Sequence, residues 1–299
     1  MQPTTDDLDV AAVAAAYEAQ ARLICAGDLP APLELRGRLA PERWKLEWHL
    51  PWWVGRSFGL DAALCHELSV SSVLGLAAIR LRDDIADGEL DRADPATAAE
   101  WSEALLDAAL ESYRARLPSS SEFWPFVAAV LAPDGPAALA SVSDGADLAR
   151  RGAPLKVPAF AVCQLADRSD AFPTLARCLD HALTALVLYD HAADWEADLA
   201  AGRANAFTDG RSREELLVAL LSDDVVRPYF ARIATALARA AELAGALAVG
   251  PLAQHICDLA ERFALDSEAL AAHYSAVGDR AAALFGTAQE RPAPPEGRS

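Results

Sequence analysis

The chain has 299 residues, of which 53% are hydrophobic, and it carries a formal net charge of -18 with a sequence pI near 4.6. That length is sufficient for a substantial core, in one large domain or two small ones. The acidic charge argues against nucleic acid and anionic membranes as partners, because the phosphates of both would be repelled.

Alanine is abundant and β-branched runs are few, so the composition predicts an all-α fold. No glycine-rich strand-turn-helix is present, which excludes Rossmann and P-loop proteins. We expect a single domain over residues 1–290 and a disordered tail over 291–299. Proline and glycine mark most of the joints between the predicted helices, which cover residues 7–26, 40–50, 59–87, 95–117, 122–132, 137–151, 157–167, 172–200, 212–221, 224–247 and 250–286.

The cellular location is predicted from three absences in the sequence. The five cysteines are scattered without a CxxC pair, which is typical of a reducing compartment. The N-terminal residues lack the basic and apolar regions of a signal peptide, and no uninterrupted apolar stretch reaches the ~20 residues that span a bilayer. We therefore expect a cytoplasmic protein without a membrane span.

The first acidic cluster ends the predicted helix 59–87. Its aspartates Asp83, Asp84 and Asp87 precede Gly88, a residue that commonly ends helices. Each acid is unfavourable there by about 0.3 to 1 kcal/mol, because the helix macrodipole is negative at its C-terminal end. Two interpretations are open: a cation-binding site, or a solvated helix end in which Asp83 and Asp84 pair with neighbouring arginines at positions 80 and 82.

The second acidic cluster lies on the predicted helix 172–200. Four residues turn a helix by 400° and advance it by about 6 Å, so Asp190, Asp194 and Asp198 are expected to form a row along one face. His191 lies about 100° away and is expected to pack against a neighbouring helix. Mg²⁺ combines a few carboxylates with water and phosphate oxygens, which suits two acidic rows facing each other across a cavity.

The two clusters together resemble the motifs of class I isoprenoid synthases, the superfamily of terpene cyclases, prenyl diphosphate synthases and squalene or phytoene synthases. The DDxxD run at Asp83 to Asp87 resembles the first motif of the superfamily. The spacing of Asp190, Asp194 and Asp198 fits the second motif of the cyclases, although acids replace two of its usual residue types. The stretch from Asp194 to Gly202-Arg203 resembles the second motif of squalene and phytoene synthases.

The resemblance implies a single helical bundle around a deep apolar cavity, with three Mg²⁺ ions at its mouth and Mn²⁺ as a substitute. The first motif would bind metal through Asp83 and Asp87, and Asp84 is a further candidate ligand. The second motif would bind metal through all three of its aspartates. The implied substrate is a prenyl diphosphate, which is ionised to an allylic cation and then cyclised or quenched. A homodimer is compatible with this function.

The diphosphate also requires basic partners, because an anionic substrate must overcome the acidic field of the chain. We expect these partners near a predicted helix break, just after the second motif and near the C-terminus. They are Arg150, Arg151, Lys156, Arg203 and Arg280.

Aromatic side chains are candidates for lining the substrate cavity. The tryptophans Trp44, Trp48 and Trp52 recur every four residues, although Pro51 is expected to end their helix at Leu50. Aromatic faces stabilise a cation by roughly 0.5 to 2 kcal/mol each, but the same residues also dominate ordinary cores. We select Trp48 and Trp52 from this group, and Tyr189 and Trp195 because they flank the second acidic cluster.

Three alternatives to a terpene cyclase remain open. The closest is a prenyltransferase of the squalene or phytoene synthase type, in which a second prenyl chain attacks the cation. A nucleotide pyrophosphohydrolase would also combine acidic helices with Mg²⁺, although it normally uses clustered glutamates. In a non-catalytic helical scaffold the acids would only be solvated.

Overall fold

The computed structural model describes residues 7–27, 29–35, 39–90, 94–132, 153–222 and 225–289. Every regular element among these residues is helical, which confirms the all-α prediction. The predicted helix 137–151 and the predicted tail 291–299 lie outside the described residues. In chain order the α-helices are α1 Val10–Ile24, α2 Lys45–Ser57, α3 Ala62–Asp87, α4 Pro95–Arg114, α5 Phe123–Val130, α6 Lys156–Leu165, α7 Phe172–Ala193, α8 Trp195–Ala200, α9 Arg213–Ser222, α10 Val226–Ala246 and α11 Gly250–Gln289.

Local capping signals set several helix ends. The carboxylate of Asp61 accepts a hydrogen bond from the Leu64 amide at 2.9 Å and begins α3. Gly88 ends α3 in the left-handed conformation, with φ 70°, as its position predicts. Ser212 and Glu215 bond reciprocally to each other's amides at 3.2 and 2.9 Å, which is a capping box for α9. Such ends depend on neighbouring residues, so they follow from the sequence.

Pro51 does not end its helix, and the predicted boundary at Leu50 is wrong. Helix α2 continues through Pro51 to Ser57. Proline has no N–H to donate to the carbonyl of Glu47, four residues earlier. The hydroxyl of Ser72 on α3 donates to that carbonyl instead, at 2.7 Å. A tertiary hydrogen bond therefore supports the helix across its proline.

We expect Ser72→Ala to lower the free energy of unfolding by about 1 to 3 kcal/mol, because it removes the hydroxyl that donates to this partly buried carbonyl. In a Pro51→Ala background residue 51 regains its N–H, so the same substitution should cost much less. Chemical denaturation of the four proteins in this double-mutant cycle measures the difference. An equal cost in both backgrounds would contradict the assigned role of Ser72.

The chain folds as two compact units that interleave along the sequence. The first comprises Met1–Ala138, Arg150–Asp180 and Ala240–Gln254, and the second comprises Leu139–Ala149, His181–Arg239 and His255–Ser299. In the first unit α3 packs mainly against α2 and α4, and also contacts α1 and α6. Helices α2 and α3 approach closely at Gly55, where an added Cβ would lie 2.6 Å from the sulfur of Cys65.

Hydrogen bonds and ring contacts hold the second unit. The hydroxyl of Tyr229 on α10 donates to the carbonyl of Leu188 on α7 at 2.9 Å. The ring of Tyr189 on α7 stacks on Phe263 of α11, with centroids 3.8 Å apart. Helix α11 also passes so close to the backbone of α9 that a Cβ at Gly278 would lie 2.5 Å from the Leu221 carbonyl oxygen.

Helix α3 is, among the described residues, the one helix whose length and apolar composition would allow it to cross a membrane. Its most apolar window has a mean hydropathy of 1.6, and 56% of that window is buried inside the protein. Burial of this kind is also found in the core helices of soluble proteins. The cytoplasmic location stays a prediction.

Candidate metal and diphosphate site

The first acidic cluster occupies the last turn of α3, as the sequence predicts. Its three aspartates differ in exposure. The side chain of Asp84 is 3% exposed and that of Asp83 is 52% exposed, while Asp87 is also exposed. The two outer carboxylates are therefore accessible to a ligand, whereas the middle one is part of the core.

Arg80 contacts both of the adjacent aspartates. One guanidinium nitrogen lies 3.3 Å from Asp83 and the other lies 3.5 Å from Asp84. Arg82 instead donates from Nε to the hydroxyl of Ser102 on α4, at 3.1 Å. The pairing of the aspartates with neighbouring arginines, which the sequence left open, is thus present for Arg80 but not for Arg82.

Charge crowding is evident at Asp83. Partial desolvation raises the pKa of its carboxyl above the usual range, Arg80 opposes this rise, and Asp87 and Asp84 add to it. The ionised form is therefore less favourable at this helix end than in water. A bound divalent cation would favour it.

The second acidic cluster lies in the second unit and is not on one continuous helix. Asp190 is on α7, Asp194 stands between α7 and α8, and Asp198 is on α8. The backbone hydrogen bonds from Asp194 to Asp190 and from Asp198 to Asp194 persist at 2.8 and 2.9 Å. At Asp194, however, φ is -105° and ψ is 11°, outside the α-helical range. The predicted helix 172–200 is therefore interrupted at its central acid.

Asn205 holds the loop that follows α8 against the second cluster, and it is absent from the residues that the sequence selected. Its buried amide donates to the carboxylate of Asp198 at 2.7 Å and to the carbonyl of His191 at 2.9 Å. Its side-chain oxygen accepts from the Phe207 amide at 2.8 Å, and its own carbonyl accepts from the Thr208 hydroxyl at 2.9 Å. An asparagine two residues after a Gly-Arg pair is a weak sequence signal, because asparagine is common in loops.

His191 is buried and hydrogen-bonds this loop, and its expected packing against a neighbouring helix stays a prediction. Its Nδ1 accepts a hydrogen bond from the Ala206 amide at 3.1 Å, so this nitrogen carries no proton in that arrangement. Gly202 turns the chain from α8 into the loop with φ 67°, and the Arg203 amide bonds back to the carbonyl of Asp198 at 2.8 Å. The Gly-Arg pair thus has a structural role in ending α8.

The two aromatic residues beside the second cluster have partners within the second unit. The hydroxyl of Tyr189 donates to Asp266 on α11 at 2.7 Å, and burial together with this bond raises the pKa of Tyr189 to about 12. Trp195 is buried and lies beside Tyr274 of α11, where burial raises the pKa of Tyr274 and the nearby indole opposes the rise. Both side chains are therefore held by α11, and their role in lining a substrate cavity stays a prediction.

The tryptophans of α2 are buried in the first unit. Trp48 is 0% exposed and Trp52 is 7% exposed. The indole nitrogen of Trp48 has no hydrogen-bond partner among the described residues. Burial agrees equally with a core role and with a place beside a substrate. A groove of about 340 Å³ lies between α1, α3 and α4. Neither of these tryptophans lines it, and none of the predicted site residues does.

The predicted diphosphate-binding residues fall into three groups. Lys156 pairs with Asp180 within the first unit. Arg203 and Arg280 are exposed. Arg150 and Arg151 lie outside the described residues. No contact with a phosphate is therefore assigned to any of them beyond the prediction.

No group of three or more potential protein ligands is positioned to enclose a metal ion within the described part of the chain. Mg²⁺ commonly takes only one or two carboxylates and completes its shell with water and substrate phosphates. The accessible, crowded carboxylates of Asp83 and Asp87 fit this kind of site and do not fit an all-protein cage. The donor set is also all oxygen, as hard cations prefer.

Comparison of the chain with protein-family models, with curated proteins and with solved structures gives no match.

Proposed function

We propose that the protein is a Mg²⁺-dependent class I terpene synthase, which ionises a prenyl diphosphate and releases diphosphate after cyclising or quenching the allylic cation. The observation that carries the proposal is the first acidic cluster. Asp83 and Asp87 are exposed at a helix end that disfavours negative charge, and desolvation and neighbouring acids raise the pKa of Asp83. The second cluster supports the proposal, because its three aspartates keep the spacing of the corresponding motif.

In this proposal Asp83 and Asp87 hold metal from the first cluster, and Asp190, Asp194 and Asp198 hold metal from the second. Bound Mg²⁺ would neutralise the charge that develops on the departing diphosphate. Asp84 is the third predicted ligand of the first cluster, but it is buried, so we assign it to positioning the helix end. The asparagine at 205 orients Asp198 through its amide.

The basic and aromatic residues have separate roles. Lys156, Arg203 and Arg280, with Arg150 and Arg151, bind phosphate oxygens and so offset the acidic field of the chain. We assign the stabilisation of the allylic cation to the rings of Trp48, Trp52, Tyr189 and Trp195. The substrate alone contributes carbon to the product.

The test is incubation of the purified protein with C10, C15, C20 and C25 prenyl diphosphates, with and without Mg²⁺. Gas chromatography of the extract and an assay for released diphosphate give two independent readouts. A terpene or terpenoid alcohol with the carbon number of its substrate, formed only with Mg²⁺, is expected. Absence of diphosphate release from every chain length would overturn the proposal.

A prenyltransferase is the second candidate, because the stretch from Asp194 to Gly202-Arg203 resembles the second motif of squalene and phytoene synthases. Mixtures of two chain lengths separate the candidates. Products with more carbons than either substrate would replace the cyclase by the prenyltransferase.

Lys156 gives a prediction with a matched control, because it is paired with Asp180. If Lys156 binds diphosphate, Lys156→Ala should raise KM for the prenyl diphosphate about ten- to a hundredfold, the loss of one charge-assisted contact. Asp180→Asn removes the same ion pair but leaves the lysine available, so its KM should be unchanged or lower. Equal changes in both variants would show that the ion pair matters only for folding, which thermal unfolding would also detect.

A further inference from the structure

Arg80 is bound unequally to the two aspartates that follow it on α3. Its contact with Asp84 lies in the protein interior, since that carboxylate is 3% exposed. Its contact with Asp83 lies at the surface, since that carboxylate is 52% exposed. Arg80 donates a hydrogen bond to Asp83 at 3.3 Å, but this contact is open to water, and exposed ion pairs contribute little free energy. The ion pair with Asp84 is shielded from water, so a competing cation replaces the contact with Asp83 more easily than the contact with Asp84.

The guanidinium of Arg80 is also held from the side of α2. It lies over the indole ring of Trp44, 5.6 Å from the ring centroid, and the guanidinium of Arg43 lies 5.7 Å from the same centroid. The Nε of Arg80 is buried without a hydrogen-bond partner among the described residues. The two carboxylates and the indole together therefore fix the position of this cation next to Asp83.

We propose that Arg80 is an internal counter-cation of the first acidic cluster: it remains on Asp84, gives up Asp83 when a divalent cation binds, and so sets the metal affinity of the site. The inference rests on the proposed function, because it assumes that Asp83 binds metal. Arg80 is a positioning residue in this role, since it keeps the helix end neutral without metal and keeps Asp84 in place with metal. Competition between Arg80 and the metal follows from their shared ligand.

Direct Mn²⁺ binding, measured by electron paramagnetic resonance of the free ion, tests the competition without any turnover. Arg80→Gln should bind Mn²⁺ about three- to tenfold more tightly than the parent, which corresponds to the loss of a partly exposed ion pair. Arg82→Gln is the matched control. It removes a positive charge two residues away, but Arg82 bonds to Ser102 and makes no ion pair with the cluster among the described residues. Its effect should be clearly smaller.

A second pair of variants protects the test against misfolding, because Arg80→Gln alone leaves Asp84 buried without this partner. In Asp84→Asn the arginine keeps Asp83 as its one carboxylate partner among the described residues, so Mn²⁺ should bind more weakly than in the parent. Adding Arg80→Gln to Asp84→Asn removes both charges of the buried pair and should restore or exceed parental binding. Equal Mn²⁺ affinities of Asp84→Asn and of the double variant would overturn the proposal.

Asp83→Asn separates this proposal from the proposed function. If Asp83→Asn binds the same number of Mn²⁺ ions as the parent with the same affinities, the metal does not use Asp83, and both the metal assignment of the first cluster and the role of Arg80 fail. If Mn²⁺ binding depends on Asp83 but Arg80→Gln resembles Arg82→Gln, only the counter-cation role fails. If Arg80→Gln binds Mn²⁺ more tightly than the parent and this gain is lost when Asp83→Asn is added to it, both the metal assignment and the role of Arg80 are supported.

Discussion

Asp83→Ala and Asp190→Ala should each slow the release of diphosphate from a prenyl diphosphate at least about a hundredfold, because metal-ion stabilisation of a leaving group is worth several kcal/mol. Neither change should unfold the protein. Asp83 is half exposed and Asp190 is exposed on α7, so neither side chain fills the core. Apo stability could even rise with Asp83→Ala, since a desolvated carboxylate among like charges is lost.

A matched control for these substitutions is Asp107→Ala on α4. Its carboxylate is 75% exposed and pairs with Arg114 at 2.9 Å, so the change also removes an exposed, arginine-paired aspartate from a helix. Parental turnover is expected in this control.

The double variant Asp83→Ala with Asp190→Ala should be scarcely slower than either single variant if the clusters serve one reaction. Near-parental turnover in both single variants would remove the metal assignment.

Asn205→Ala should destabilise the protein by about 2 to 4 kcal/mol, because it removes a buried side chain that serves several backbone and carboxylate groups. The lost bonds are those to Asp198, to the His191 carbonyl and from the Phe207 amide. We also expect weaker binding of Mn²⁺ to the second cluster, because the orientation of Asp198 is lost. Thermal unfolding and metal titration measure the two effects separately.

Two further variants distinguish a role in the site from a role in loop stability. Thr208→Val removes only the bond from the Thr208 hydroxyl to the Asn205 carbonyl, so it should lower stability without changing metal affinity. Asn205→Asp keeps the acceptor for the Phe207 amide but places an oxygen against Asp198. It should therefore alter metal affinity more than Thr208→Val does. Equal metal affinities in both variants would reduce Asn205 to a loop residue.

The sequence alone predicts much of this protein, because many of its signals act within a few residues. The all-α fold follows from the composition, and most helix positions follow from the proline and glycine positions. The end of α3 at Gly88 follows from the left-handed conformation that glycine allows. The acidic positions themselves are also visible in the sequence. The metal-binding role of Asp83 and Asp190 is a prediction from residue type and spacing that the variants above will test.

Contacts between residues far apart in the chain decided what the sequence could not. Helix α2 passes through Pro51 because Ser72 of another helix donates to the carbonyl of Glu47. Asn205 is recognised as part of the second acidic cluster only through its hydrogen bond to Asp198. Lys156 has its ion pair because α6 meets α7 at Asp180. Such partners depend on how helices pack, and packing is set by side-chain shape and burial over the whole unit instead of by local periodicity.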